Sequence, residues 1–445
     1  MPSPVVTAVV AALPLASSPD PAGIVGGTEV PACGWPNVVA LGGACTGTLV
    51  HPRVVIYAAH CGGGQEVVFA ENAVDGPMRS VPTTYCKQFP REEGQLGRDF
   101  AYCVLAEPQL DVPIVPPLMG CELDQLVEGT EVVVVGFGFD EDGVGGIKRE
   151  LTTTFHYIEN DEAFIGGDGL DACQGDSGGP AFVKVPDPGG GPDTWRLFGI
   201  VSHGDPQCLE GTFYGLVHVG MEWFEPEADF DLTPCTDVDG AWNPGPRCTD
   251  LPYDLADAQG QWPQGCSTDA LAGPGQTCGP PFGFEPDTDP PLVAVSSPAE
   301  PLRLESDPAQ GVAPFLVEID ASDPEGWGID EVLLVIDGEL VPGGADGRPP
   351  YEFAANFPPG TFSLSAVAVD LAGNRAEAPA VLLAVDEELP EGTTTSAQDE
   401  PGAQEGCGCR HVAGSAWPLL LVLGAARRRR GRAIGVGSAR RRRRA

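Results

Sequence analysis

From Ile24 to about Pro226 the apolar residues come in short bursts, among them "NVVALGG", "RVVIYAA", "EVVVVGFGF" and "LFGIVSHG", separated by Gly, Pro and Asp. None sustains a 3.6-residue period, and short apolar runs between turn formers are the mark of buried strands. The stretch is expected to be all-β, a sandwich or a barrel. Residues 229–287 change character, being rich in Asp, Gly and Pro, with Cys235, Cys248, Cys266 and Cys278 and a faint echo between "DGAWNPGPRC" and "QGQWPQGC". So few aliphatics bury little, which predicts a loop-rich module or linker held by two disulfides. Alternation returns over residues 288–387, in "LVAVSS", "FLVEIDAS", "EVLLVIDG", "YEFAANF", "FSLSAVAVD" and "AVLLAVD". Six or seven strands in about a hundred residues is the rhythm of an immunoglobulin-like sandwich. Residues 388–406 have no core-forming content and read as an acidic flexible linker.

The two ends carry a different signal. "VVTAVVAALPLASS" is a short apolar run closing on small residues, so residues 1–18 are expected to be a secretory signal peptide and 19–23 a short propeptide, although no basic residues precede the run. Residues 407–445 begin "GCGCRHVAGSAWPLLLVLGAARRRR". The apolar run there, Val412 to Ala426, is 15 residues, short of the roughly 20 a spanning helix needs. Composition alone supports a weak membrane anchor with the arginines held on the cytoplasmic side.

A chain of 445 residues exceeds one ordinary core, so two or more domains are expected. The net charge of −40 understates the acidity of the body. The last 19 residues hold 10 of the 24 bases and no acid, which leaves 14 bases against 64 acids, a net −50. Such a surface repels nucleic acid and anionic membrane and attracts cationic substrates. The 14 cysteines are dispersed, without CxxC pairs and histidines at zinc spacing and without HExxH. They fit disulfides in an oxidising compartment better than a metal site.

Against that background three stretches carry chemistry. Acyl transfer to a serine needs a base for the hydroxyl proton, a carboxylate to orient the base, donors for the oxyanion and a slot for the neighbouring side chain. "YAAHC" supplies His60, "GRDFAYCVL" supplies Asp99 ahead of an apolar run, and "GDSGGP" supplies Ser177. The order His, Asp, Ser is that of one protease fold.

With "IVGG" at 24–27, "CTGTLVHPRVVIYAAHC" at 45–61, "GFG" at 136–138, "DACQGDSGGP" at 171–180 and "GIVSHGDPQC" at 199–208, residues 24–228 resemble the trypsin-like (chymotrypsin-fold) serine proteases. The resemblance implies two six-stranded antiparallel β-barrels and a serine endopeptidase acting on protein or peptide substrates, a monomer without a cofactor. It implies His60 as general base and acid, Asp99 as its orienting carboxylate, Ser177 as nucleophile, and the N–H groups of Gly175 and Ser177 as the oxyanion hole. Bridges Cys45–Cys61 and Cys173–Cys208 follow from it; Cys33–Cys121 and Cys86–Cys103 are the pairings supposed for the rest. Asp171 falls at the floor of the specificity pocket, with Gly204 and Gly211 leaving its walls open, which implies cleavage after Arg or Lys. Ser202 would hydrogen-bond the substrate backbone, and His203 stands where the family has Trp. Cleavage before Ile24 would free an ammonium to pair with Asp176. Gly23 precedes that bond, so a protease with basic specificity should not activate itself: another, activating protease makes the cut, or activation proceeds by some other route.

Two further resemblances are more local. "DPPLVAVSSP" and "AVDLAGN" are similar to bacterial Ig-like repeats, and the C-terminal "GCGC", apolar stretch and Arg cluster resemble the MYXO-CTERM sorting signal. The latter implies sorting machinery as a partner, export to the cell surface and processing near Cys407 or Cys409. "DASDPEGWGIDE" offers hard carboxylate ligands that suit a structural calcium, although such acids are more often a solvated face. His51, His156, His218 and His411 belong to no constellation and read as surface or packed histidines. One reading from another class stays open: a surface adhesin or binding protein in which the protease fold is an inactive scaffold. The complete triad favours the enzyme, and the non-basic Gly23 keeps the scaffold alive.

Overall fold

The computed structural model describes residues 24–390 apart from 43–44, 64–65, 91–96, 141–142, 253–257, 263, 269–272 and 284. The expected signal peptide, propeptide and C-terminal sorting signal, and nearly all of the acidic linker, lie outside the described residues. Two compact units divide the chain. The first comprises the chain up to Asp289 with residues 325–330 and 370–374; the second comprises residues 290–324, 331–369 and those from Arg375 onward.

In the first unit the apolar bursts form strands, as their turn-bounded lengths predict. They are β1 (Thr28–Glu29), β2 (Val38–Leu41), β3 (Cys45–His51), β4 (Val54–Tyr57), β5 (Val67–Ala70), β6 (Met78–Val81), β7 (Thr83–Gln88) and β8 (Ala101–Leu105). The chain continues with β9 (Glu131–Gly136), β10 (Arg149–Glu159), β11 (Glu162–Ile165), β12 (Pro180–Val185), β13 (Thr194–Gly204) and β14 (Thr212–Leu216), and closes with helix α1 (Val217–Ala228). Strands β2 to β8 make one sheet, ordered β6-β5-β2-β3-β4-β8-β7. The other is ordered β1-β10-β11-β14-β13-β12-β9, and an added β9–β10 pairing closes its six long strands into a barrel. Of the two closed barrels expected, then, one is closed; the other is an open curled half. Each encloses its own apolar core, one around Val39, Leu49, Val55 and Phe69, the other around Val134, Phe155, Phe198 and Tyr214. β2, β3 and β4 are buried throughout because both of their faces are covered, whereas β10 alternates between buried and more exposed residues along most of its length.

The disulfides correct the reading of residues 229–287. Cys86–Cys103, Cys45–Cys61 and Cys173–Cys208 form as expected. Cys33 and Cys121 do not pair with each other: Cys33 bonds Cys266 and Cys121 bonds Cys278. Only Cys235–Cys248 is internal to the segment. Rather than holding itself together, the segment is stitched to the barrels. A hairpin, Ala258–Gln261 with Gly265–Thr268, delivers Trp262, fully buried in the first core. Its indole N–H donates to Glu71 Oε1 at 3.1 Å, which also accepts the Cys33 N–H at 2.9 Å. Cys33, Glu71 and Cys266 converge, but both sulfurs are committed to the disulfide, so the trio offers no thiolate to a metal. On the second barrel the fully buried Arg196 is neutralised by Glu122 at 2.9 Å and Asp250 at 3.3 Å, as a charge out of water requires.

Among its described residues the second unit carries nine strands where six or seven were expected, in two sheets. Leu292–Ser297, Ala313–Ser322 and Tyr351–Phe357 form one; Ile329–Ile336, Glu339–Asp346, Gly360–Asp370, Val381–Val385 and two short strands form the other. Alternation works as read in "YEFAANF", where Tyr351, Phe353, Ala355 and Phe357 are buried and the residues between them are less so. No helix among the described residues is long and apolar enough to cross a membrane.

Candidate active site

His60 lies in a one-turn 3-10 helix, Ala59–Cys61, just after β4. Tyr57 and Ala58 before it are fully buried, and Cys61 after it is bonded back to Cys45 on β3. The backbone is thus fixed on both sides while the imidazole stays 38% exposed. Asp99, buried just ahead of β8, faces it: Oδ2 lies 2.6 Å from His60 Nδ1, and Oδ1 accepts the His60 backbone N–H at 3.0 Å. Ser202 Oγ, from β13, donates to the same Oδ2 at 3.2 Å. An ionised carboxylate only accepts, so the proton sits on Nδ1 and Nε2 keeps its lone pair for a hydroxyl proton.

Ser177 is held against this turn. Its carbonyl accepts the Thr46 N–H at 2.9 Å and lies 3.6 Å from Cys61 Sγ. Two residues earlier Gly175 has φ +97°, and a Cβ there would stand 2.8 Å from Gly138 Cα. Backbone conformation and the approach of Gly138, not only clearance for a substrate carbonyl, therefore require glycine. The N–H groups of Asp176 and Gly178 are taken by Cys173 and Val201. Those of Gly175 and Ser177 have no protein acceptor among the described residues, which leaves two adjacent donors at the serine for a developing oxyanion. No hydrogen bond joins the Ser177 hydroxyl to His60 among the described residues; such contacts tighten when substrate arrives.

Asp176 is buried beneath this loop, Oδ1 accepting the Gly138 N–H at 2.8 Å and Oδ2 the Cys173 N–H at 2.9 Å. A Cβ at Gly138 would lie 2.5 Å from Asp176 Oδ2, so "GFG" is the gap that admits the carboxylate. Burial pushes its pKa up to about 7, only partly offset by the two N–H groups. Ile24 is itself buried at 2% exposure, and Val25 exchanges backbone hydrogen bonds with Asp171 at 2.9 and 3.3 Å.

Asp171 is also buried, and burial pushes its carboxyl up. Three donors reach it: the Gly211 N–H at 2.6 Å to Oδ2, with the Thr212 hydroxyl at 2.7 Å and the Ala172 N–H at 2.9 Å to Oδ1. Across β13 and β14 Gly204 faces Thr212, while Gly211 lies against Asp171 through its N–H. One wall of the pocket thus carries a side chain where sequence reading supposed none.

Sequence reasoning also passed over Glu162. Almost wholly buried at the start of β11, it lies 3.4 Å from His203 Nδ1, and burial raises its pKa. His203 stacks on Phe213 at 5.0 Å, and its Nδ1 is 3.3 Å from Ser202 Oγ. Glu162, His203 and Ser202 so form a polar chain leading to Asp99. The signal was weak, an acid heading the apolar run "EAFI" but the last of three in "ENDE". The other histidines are packing elements: His51 Nδ1 accepts the Arg53 N–H at 3.1 Å in a buried site, and His156 bonds the Gly166 carbonyl at 2.8 Å. His411 lies outside the described residues.

Comparison with known proteins agrees with this geometry. The Trypsin family model matches residues 24–223. A tryptase from Mus musculus is 30% identical over 244 residues, covering 43% of this chain and 86% of that protein. A trypsin-like protease from Streptomyces glaucescens is 30% identical over 212 residues, covering 42% and 75%. Vitamin K-dependent protein C from Mus musculus is 29% identical over 210 residues, covering 39% and 43%. A buried carboxylate on an exposed imidazole, a serine pinned beside it with two free amides, and these matches together place the chain in the trypsin family of serine proteases.

Proposed function

We propose that this protein is a secreted, surface-sorted serine endopeptidase that hydrolyses peptide bonds through an acyl-enzyme on Ser177. The observation that carries the reading is the Asp99–His60 pair at 2.6 Å, fixed beside a serine whose neighbouring amides are unspent. Substrate extends along the β13 edge near Ser202 to Gly204, as an added strand. His60 Nε2 takes the Ser177 proton as Oγ attacks the carbonyl carbon; the oxyanion is received by the Gly175 and Ser177 amides; His60 then protonates the leaving amine. Water repeats the sequence on the acyl-enzyme and restores Ser177.

The buried Asp171, with Asp205 close enough to raise its pKa further, favours a cationic side chain, Arg or Lys, before the scissile bond. Competence follows cleavage before Ile24. A freed ammonium at this buried residue would give Asp176 the direct ion pair it lacks among the described residues, where Arg149 acts on it only from farther off. Because Gly23 precedes the bond, a separate protease makes that cut.

The test is turnover of peptides differing only at the residue before the scissile bond, with Ile24 as the true N-terminus and Ser177→Ala in parallel. Turnover lost in the variant supports the reading. Folded protein with a free Ile24 and no turnover supports the inactive scaffold.

A further inference from the structure

A carboxylate at the base of a pocket does not by itself say which cation it takes; that depends on how many of its acceptor positions remain. Asp171 has about four lone-pair positions. Oδ1 receives both the Thr212 hydroxyl at 2.7 Å and the Ala172 N–H at 2.9 Å, and Oδ2 receives the Gly211 N–H at 2.6 Å. One oxygen is filled and the other half filled. Thr212 also stands directly opposite Gly204, and a Cβ built on Gly204 would lie 2.6 Å from Thr212 Oγ1. The threonine thus occupies the space that the glycine across from it leaves clear.

These two facts act differently on the two basic side chains. A guanidinium is planar and binds a carboxylate best through two parallel N–H bonds, one to each oxygen. Here Oδ1 has no free position, so an arginine would make one bond to Oδ2 and bring further N–H groups into a narrowed, buried site without partners, which is costly. An ammonium is compact and needs no fork. It can donate one hydrogen to Oδ2 and a second to a lone pair of the Thr212 hydroxyl, which keeps its own proton on Asp171.

We propose that Thr212 sets the specificity of this protease, selecting lysine over arginine before the scissile bond. The inference rests on the reading of the chain as an active serine endopeptidase with Asp171 at the base of its pocket.

The experiment compares kcat/KM for two peptides identical except for Lys or Arg at that residue, using full-length protein cleaved to expose Ile24. It uses the wild type, Thr212→Gly and Thr212→Ser. In the wild type Lys should exceed Arg by roughly tenfold or more, the scale of one lost buried hydrogen bond. Thr212→Gly frees Oδ1 and clears the wall, so the ratio should fall toward unity mainly through a gain on Arg. Thr212→Ser keeps the hydroxyl and should keep the preference, which guards against a glycine variant that fails to fold. Arg cleaved as well as Lys by the wild type, or a preference unchanged in a folded Thr212→Gly, overturns the role of Thr212 and leaves the protease reading intact. Absence of turnover on both peptides, with no labelling of Ser177 by an uncharged phosphonate, overturns the protease reading and this inference with it.

Discussion

Trp262 packs its indole 5.4 Å from the ring of Phe69, inside the core of the first barrel. The residue comes from beyond the last barrel strand, so the first core is completed by chain that follows the second. Arg79 covers the outer side of the same indole at 4.8 Å, and Cys266, four residues on, is bonded to Cys33. The extension is a structural part of the catalytic unit.

Trp262→Ala should therefore destabilise the protein by about 3–5 kcal/mol, the range for emptying a large aromatic site in a core. Breaking Cys33–Cys266 by serine at both positions should cost about 2–5 kcal/mol. Denaturant unfolding of each variant in oxidising buffer checks both, and a cost near zero for Trp262→Ala would show that the extension is dispensable.

Asp176 makes the uncleaved chain sensitive to pH. Its pKa is about 7 in the folded chain against 3.8 for a free carboxyl. Between those values the folded chain holds a proton that the unfolded chain has released, so stability falls as pH rises from about 4 to about 7, then levels. A shift of that size corresponds to roughly 4 kcal/mol at most. Unfolding free energies of wild type and Asp176→Asn, measured from pH 4 to 8 before cleavage at Ile24, should converge at the acid end and separate in favour of the variant above it. A difference independent of pH would refute the assignment.

In the proposed reaction the Asp99–His60 pair sets the tautomer needed for attack. Asp99→Asn should lower kcat by about 10⁴ with the fold intact, the usual effect of leaving Nδ1 without its acceptor. Ser202→Ala removes only a supporting hydrogen bond and should cost far less. Steady-state kinetics on one peptide separates the two, and equal losses would mean that Ser202 acts directly rather than through Asp99.

Much of this was legible because the chemistry lies in short contiguous motifs. His60 and Ser177 sit in stretches whose neighbours, Cys61 and Gly175, are fixed by the same local geometry, so type and spacing carried the meaning. The half-open first sheet, the Cys33–Cys266 and Cys121–Cys278 bridges and the burial of Trp262 were not legible. They join residues 233, 157 and about 190 positions apart, and a cysteine carries no local mark of a distant partner. Thr212 was not singled out, since the register of β13 against β14 decides which residue faces Gly204. Glu162 was overlooked because its partners, His203 and Ser202, belong to a strand some forty residues later.

The most direct test of the account is covalent. Protein with Ile24 as its N-terminus, treated with a serine-directed phosphonate and analysed by peptide mass spectrometry, should carry one adduct, on Ser177. The adduct should be lost in His60→Ala, where no base takes the hydroxyl proton. Folded protein that stays unlabelled, or that labels equally without His60, would contradict the claim that Ser177 is an activated nucleophile.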